Sequence, residues 1–203
     1  MIDYLAVFIT FFAVIDPIGT VPVFIAVTKS YDQKTKRRIA LLATVVVAFV
    51  LLFFVIIGEI ILQALSIPLS AFQISGGIVL FLFALNMIFG DSKPEEEIKS
   101  LQVSHKDTAI FPLAVPSIAS PGAMLGAVLL TKNSVFSILE QLQTAMVMLS
   151  VLLVVYLLML LSGLISKFIG TSGASVISRV MGILLSAIAT TNILTGLSDY
   201  YHA

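Results

Sequence analysis

Apolar residues fall in long blocks along this chain, and the lengths of those blocks set the elements. A helix that crosses about 30 Å of hydrocarbon needs roughly 20 mostly apolar residues. Six stretches qualify: Tyr4 to Val27, Ile39 to Leu62, Ile67 to Phe89, Ala109 to Leu130, Thr144 to Ile165 and Ile177 to Leu197. The second and fifth are almost uninterrupted Leu, Val, Ile and Phe, the pattern of a lipid-facing scaffold helix. The first, third, fourth and sixth carry the Gly, Pro, Ser, Thr, Asn and Asp, and are expected to line the interior. The first block has no Lys or Arg ahead of it, and Asp16-Pro17 splits its core, so it reads as a retained helix and not a signal peptide.

One long polar stretch, Asp91 to Asp107 with Pro94 and the run Glu95, Glu96, Glu97, separates three blocks from three. It has no ligand spacing and reads as a solvated linker. The two sides of it echo each other. Gly76, Asn86 and Gly90 recur at the same spacings as Gly182, Asn192 and Gly196, and the break Asp16-Pro17 recurs as Ser120-Pro121. An odd number of spans per unit forces the second unit to insert upside down, the inverted-repeat plan of many secondary transporters. The expected fold is therefore an all-α membrane protein, a single transmembrane domain over 1–203. Its six transmembrane helices form two inverted three-helix repeats, 1–90 and 109–203, joined by a polar cytoplasmic linker at 91–108, with the first and fourth helices broken near the midplane.

Composition fixes the solvent. The chain is 59% hydrophobic and 11% charged with a mean hydropathy of +1.13, more apolar surface than a soluble interior can hide. Eleven basic and eleven acidic residues cancel, which gives no reason to expect nucleic acid as a partner. Two His and no Cys exclude a disulfide framework and argue against a metal site or cofactor chemistry. Basic loops stay in the cytoplasm. Lys29, Lys34, Lys36, Arg37, Arg38, Lys93, Lys99, Lys106, Lys167 and Arg179 fall on one side and Lys132 alone on the other, which puts both termini outside the cytoplasm. The run Lys34 to Arg38 is read first as this topology signal, with attraction of anionic lipid as the alternative.

The chemistry concentrates at the two breaks. Asp16 lies near the middle of a spanning block, where a carboxylate facing lipid is prohibitive and one facing a polar cavity is usually functional. Pro17, Gly19, Thr20 and Pro22 follow it; Pro112, Pro116, Ser120, Pro121 and Gly122 repeat the theme in the fourth block. Asp-Pro and Ser-Pro each read as an N-cap followed by proline at the first helical position. Each helix would then restart at depth and present free N–H groups to an anionic group. Asp16 supplies its own negative charge and Ser120 does not. A zwitterion could set its carboxylate at Ser120-Pro121-Gly122 and its ammonium, or a coupling proton or sodium, toward Asp16. The alternative is that both breaks are packing kinks and Asp16 only caps its own helix.

Other polar positions carry two readings each. Asn86 and Asn192 line the cavity or hydrogen-bond between helices. Thr190 and Thr191 line it or bond back to their own helix. Gly76, Gly77 and Gly182 permit close helix approach, Glu59 reads as an interfacial carboxylate, and His105 and His202 sit in polar flanks.

The strings DPIGTVPVF at 16–24, SGGIVLF at 75–81 and PLAVPSIASPGAM at 112–124 resemble the MarC family of bacterial and archaeal inner-membrane proteins, over nearly the whole chain. The resemblance implies six spans with both termini outside the cytoplasm, kinship with LysE-type exporters and, for some members, transport of small neutral amino acids. Ser120 and Thr20 stand where the family commonly has Gly and Asn. The expected function is a non-enzymatic, multi-pass secondary transporter of a small solute in the plasma membrane. A passive small-solute channel is the alternative, ahead of a membrane-embedded enzyme or a drug exporter.

Overall fold

The computed structural model describes residues 2–89, 109–133 and 135–202. The expected linker 91–108, with Lys93, Lys99, Lys106, the acidic run and His105, lies outside the described residues, as do Gly90 and Ala203. Among the described residues every regular element is helical. The order is α1 (Tyr4–Ile15), α2 (Pro17–Val27), α3 (Gln33–Ala64), α4 (Leu69–Phe89), a π-helix π1 (Ala109–Ile118), α5 (Pro121–Leu129), α6 (Ile138–Leu160) and α7 (Ser162–Tyr201).

Local chemistry explains most boundaries. Asp3 caps α1 by accepting from the N–H groups of Leu5 and Ala6, and Asp32 caps α3 by accepting from Lys34. The C-terminus of α3 is a Schellman motif: Ser66 takes the left-handed conformation with φ 56°, its N–H donates to Gln63, and the Ile67 N–H donates to Leu62. Pro68 follows and cannot continue the helix. Ser137 and Glu140 form a capping box at the start of α6. In π1, Pro112 and Pro116 stand four apart and remove donors from the α ladder; the segment takes the wider register, and Ala119 N–H donates to Ala114 at 2.8 Å.

Among the described residues five helical stretches are long and apolar enough to cross a membrane: Tyr4–Val27 (α1 with α2), Gln33–Ala64, Leu69–Phe89, Ile138–Leu160 and Arg179–Tyr201. Two expectations change. Ala109 to Leu130 is not one continuous span but π1 followed by the short α5, because two prolines and the Ser120-Pro121 step divide it. The loop expected before Ile177 is absent: α7 is helical from Ser162, and the chain breaks at Leu161 instead. Low hydropathy between 166 and 176 marks where apolar sequence lapses, not where a helix must stop, and α7 contains no proline.

Burial places the broken first helix at the centre. In the Tyr4–Val27 span 61% of the window is buried, against 28% for α3, 28% for α4, 39% for α6 and 22% for the apolar part of α7. The third and sixth apolar stretches are therefore not interior helices as expected. They run antiparallel and pack chiefly on each other, and their small residues serve that contact. A Cβ added at Gly77 would meet Ile193 Cγ1 at 2.8 Å and the Ala189 carbonyl oxygen at 3.0 Å; one added at Gly182 would meet Ile88 Cγ1 at 2.8 Å and the Ala84 carbonyl oxygen at 3.0 Å. A single shift along the chain carries Gly77, Ala84 and Ile88 onto Gly182, Ala189 and Ile193. Gly196 makes the same kind of approach to Ile74 and Ser70. Around this pair the packing is reciprocal: α1 and α2 lie against α6, while π1 and α5 lie against α3.

Candidate functional site

Asp16 is the single residue between α1 and α2. It has φ 51° and ψ 67°, in the left-handed region that Asp tolerates better than most side chains. Its N–H closes α1 by donating to Phe12 at 3.1 Å, and its carboxylate opens α2 by accepting from the Gly19 N–H at 3.0 Å. Pro17 occupies the first position of α2, and the Thr20 hydroxyl donates to the Asp16 carbonyl at 3.0 Å. A Cβ at Gly19 would overlap the Asp16 carboxylate, so a larger residue there would displace the cap. Pro22, inside α2, also takes the helical donor from the Ile18 carbonyl. Asp16 is only 2% exposed.

Ser120 repeats the arrangement with different reach. It is fully buried and extended at φ −68° and ψ 158°, and its hydroxyl oxygen accepts from the Ala123 N–H at 3.1 Å, with Pro121 at the first position of α5. The hydroxyl hydrogen goes elsewhere. It donates to the Val14 carbonyl at 2.7 Å, one of the last carbonyls of α1, which the helix leaves without an internal donor. The two breaks therefore meet: the positive end of α5 is tied to the negative end of α1, two residues ahead of Asp16.

Beside this junction lies a cleft of about 370 Å³ between α1, α4, α5 and α7, at the small end of the range for small-molecule sites. Gly122, Thr191 and Asn192 line it, together with Thr10, Val14 and Gly126. Of the residues singled out from sequence, the structure brings these three to the cleft. Asp16, Pro17, Gly19, Thr20 and Ser120 form the buried junction next to it, with Pro121 half-buried at its edge, and neither Asn86 nor Thr190 lines the cleft. Thr190 and Thr191 both donate back to their own helix, to Ser186 at 2.8 Å and Ala187 at 2.9 Å. Thr10 and Gly126 went unnoticed in the sequence. Thr10 looks like any hydroxyl of an apolar helix, and it too bonds back, to Ala6 at 2.8 Å. Gly126 leaves room in the cleft wall: a Cβ there would meet only ordinary contacts, Phe11 at 3.8 Å and Val14 at 3.9 Å. Ser117, next to the junction in sequence, is buried, and its hydroxyl has no hydrogen-bond partner among the described residues.

Glu59 is held at the other end of α3. One oxygen accepts from the Asn133 N–H at 2.6 Å, in the turn between α5 and α6, which makes it a loop clamp remote from the junction.

The sequence matches the model of the MarC family integral membrane proteins over residues 1–201, and the chain belongs to that family. It is 32% identical over 196 residues to a UPF0056 membrane protein of Methanocaldococcus jannaschii, covering 96% of this chain and 95% of the relative. It is 30% identical over 201 residues to one of Archaeoglobus fulgidus, covering 97% and 92%. A Bacillus subtilis relative, also a UPF0056 membrane protein, is 30% identical over 203 residues, covering 96% and 94%. No solved structure matches the chain. The relatives' names carry membrane residence and no substrate.

Proposed function

We propose that this MarC family protein is a secondary transporter of small neutral amino acids or similar small solutes, working by alternating access and drawing on a proton or sodium gradient. The observation that carries the reading is the junction of two interrupted helices, where the Ser120 hydroxyl of one half holds the Val14 carbonyl of the other. Interrupted backbone at this depth is tolerated where it is buried in protein or lines a cavity, and paired interruptions are how many transporters build a midplane site. Six spans in two inverted halves are part of the same reading. The reciprocal glycine contacts and the exchange of broken helices between halves support it.

In this scheme the start of α5 at Ser120, Pro121 and Gly122 faces the solute carboxylate, with the Gly122 N–H as donor, since Pro121 has none. Asp16, with Pro17, Gly19 and Thr20, faces the ammonium or the coupling cation. The cleft at Gly122, Thr191 and Asn192 is the approach, and the burial of Asp16 and Ser120 corresponds to an occluded arrangement that opens when the halves rock. Both termini lie outside the cytoplasm, on the strength of the ten-to-one distribution of Lys and Arg.

Uptake of labelled glycine, alanine and serine into proteoliposomes, with and without imposed proton or sodium gradients, tests the mechanism. A carrier gives saturable flux that a gradient drives uphill; non-saturating flux indifferent to gradients identifies a channel and ends the proposal. Gly126→Ala narrows the cleft without steric conflict, so it should raise KM severalfold while leaving expression unchanged. The chain has no Cys, so single cysteines report orientation directly. One at Ser30 should resist an impermeant thiol reagent in intact cells and one at Asn133 should react.

A further inference from the structure

The first turns of α3 are unlike the rest of the helix. Lys34, Lys36, Arg37 and Arg38 crowd five residues, and the apolar stretch begins at once with Ile39. Their surroundings are concave. A cleft of about 470 Å³ is lined by Gln33, Lys34, Arg37, Arg38, Leu41 and Tyr156, the last from α6. A second, also of about 470 Å³, shares Gln33 and Arg37 with it and adds Lys36 and the start of α7 at Ser162 and Gly163. Arg37 stands on the wall between the two. Asp32, the nearest acid, is engaged as the cap of α3 and lines neither cleft.

The first cleft continues into an apolar surface. Lys34 and Arg38 are one helical turn apart, and the same face runs on through Leu41, Val45 and Phe49, which are 52%, 55% and 73% exposed. Cations above and uncovered hydrocarbon below, on one face at the level where a spanning helix enters the bilayer, match the two ends of a phospholipid. A free anion has no use for the lower half. From this juxtaposition we infer that the cleft between α3 and α6 is a binding site for an anionic phospholipid, its phosphate held by Lys34, Arg37 and Arg38 and an acyl chain lying along Leu41, Val45 and Phe49. Cationic clefts between spanning helices on the cytoplasmic side are a recurrent way of holding such headgroups. The site is separate from the Asp16–Ser120 junction, so it stands or falls independently of the transport reading.

The test is lipid binding by the purified chain in non-ionic detergent, with bound phosphatidylglycerol, phosphatidylcholine and inorganic phosphate counted by native mass spectrometry. The chain should take up phosphatidylglycerol at least roughly tenfold more tightly than phosphatidylcholine, and inorganic phosphate should not displace it. At about fivefold per cation, the triple variant Lys34→Gln, Arg37→Gln, Arg38→Gln should bind phosphatidylglycerol roughly 100-fold more weakly, and Lys132→Gln should bind it normally. Two further variants guard against misfolding: Lys34→Arg with Arg38→Lys keeps the charge and should keep the lipid, and Leu41→Asn with Val45→Asn keeps every cation and should weaken binding. Retention of phosphatidylglycerol within about threefold by the triple variant, equal binding of phosphatidylcholine, or displacement by inorganic phosphate each overturns the inference. The first of these outcomes would leave the basic run as a topology signal alone.

Discussion

The two breaks reach the same end, a helix restarting on a capped proline inside the protein, by unequal means. At the first, Asp16 turns the chain in one left-handed residue, closes α1 with its N–H and opens α2 with its carboxylate. At the second, the strain is spread: π1 widens ahead of the break, Ser120 stays extended, and its side chain both caps α5 and reaches the opposite half. The side chains are not interchangeable. An ionised carboxylate only accepts hydrogen bonds, so it could cap α5 but could not donate to Val14; a hydroxyl could cap α2 but would bring no charge. The comparison assigns charge to one half of the junction and the tie between halves to the other.

Making the second break resemble the first should do the greatest damage. Ser120→Asp sets a buried carboxylate against the Val14 carbonyl oxygen with no donor between them, and should cost about 3–5 kcal/mol. Thermal unfolding in detergent reads this loss. A stable variant that still transports would mean that the hydroxyl's second bond contributes nothing. Ser120→Ala removes the tie without adding charge and should cost about 1–3 kcal/mol, mostly from the buried carbonyl left without its donor.

At the first break, Asp16→Ala loses the cap and puts Ala in a left-handed conformation, for a combined cost of about 2–3 kcal/mol. Asp16→Asn is gentler on both counts, since Asn caps helices and tolerates the left-handed region, so it should accumulate and unfold nearly as the parent does. If the charge is what the first half contributes, the Asn variant should lose transport or its ion dependence by at least roughly tenfold, about 1.4 kcal/mol in the barrier. Normal rate and normal coupling in that variant would return Asp16 to the role of a cap.

Away from the breaks the halves should behave alike. Gly77→Val and Gly182→Val each drive a side chain into the backbone of the facing helix, and each should cost about 1–3 kcal/mol. Similar losses would sharpen the equivalence of the two glycines; tolerance of one and not the other would break it.

How much of this was legible beforehand depended on the range of the cause. The caps and prolines at Asp16-Pro17 and Ser120-Pro121 are local, and the sequence displays them. The bond from Ser120 to Val14 joins residues 106 apart, and no local pattern announces it. Prolines at 112 and 116 predict interruption but not the π register, which depends on which carbonyls remain within reach. The reading of α4 and α7 as interior helices failed for a physical reason. Gly, Asn and Thr on a spanning helix serve close packing and back-bonding as readily as a cavity: Gly77, Gly182 and Thr190 here do the former, while Thr191 bonds back and also lines the cleft with Asn192. Likewise, hydropathy alone could not show that α7 continues through 166–176.

The smallest expected effect lies at the entrances of α3 and α6, the helices that follow the two broken segments in the chain. The Ser137 hydroxyl caps α6 within its capping box, whereas the Asp32 carboxylate caps α3. The hydrogen bond from the Thr35 side chain holds the Asp32 carboxyl below the usual carboxylate range against the opposing effect of burial, with the N–H groups of Lys34 and Thr35 adding to the lowering. A carboxyl whose pKa is lowered on folding binds fewer protons folded than unfolded in that window, so its contribution is complete above the ordinary carboxylate pKa. It fades as pH falls through the lowered value. Acidification from about pH 6 to below about pH 4 should therefore weaken the start of α3 through Asp32. Because Asp32 is fully exposed, the loss should be small and best seen as faster amide hydrogen exchange in the first turns of α3. Asp32→Ser gives the first half the second half's kind of cap and should flatten that acid response while keeping α3 protected at neutral pH. If α3 in the Ser variant still opens on acidification as the parent does, the acid response belongs to another group, and the two entrances are capped alike in every respect that matters.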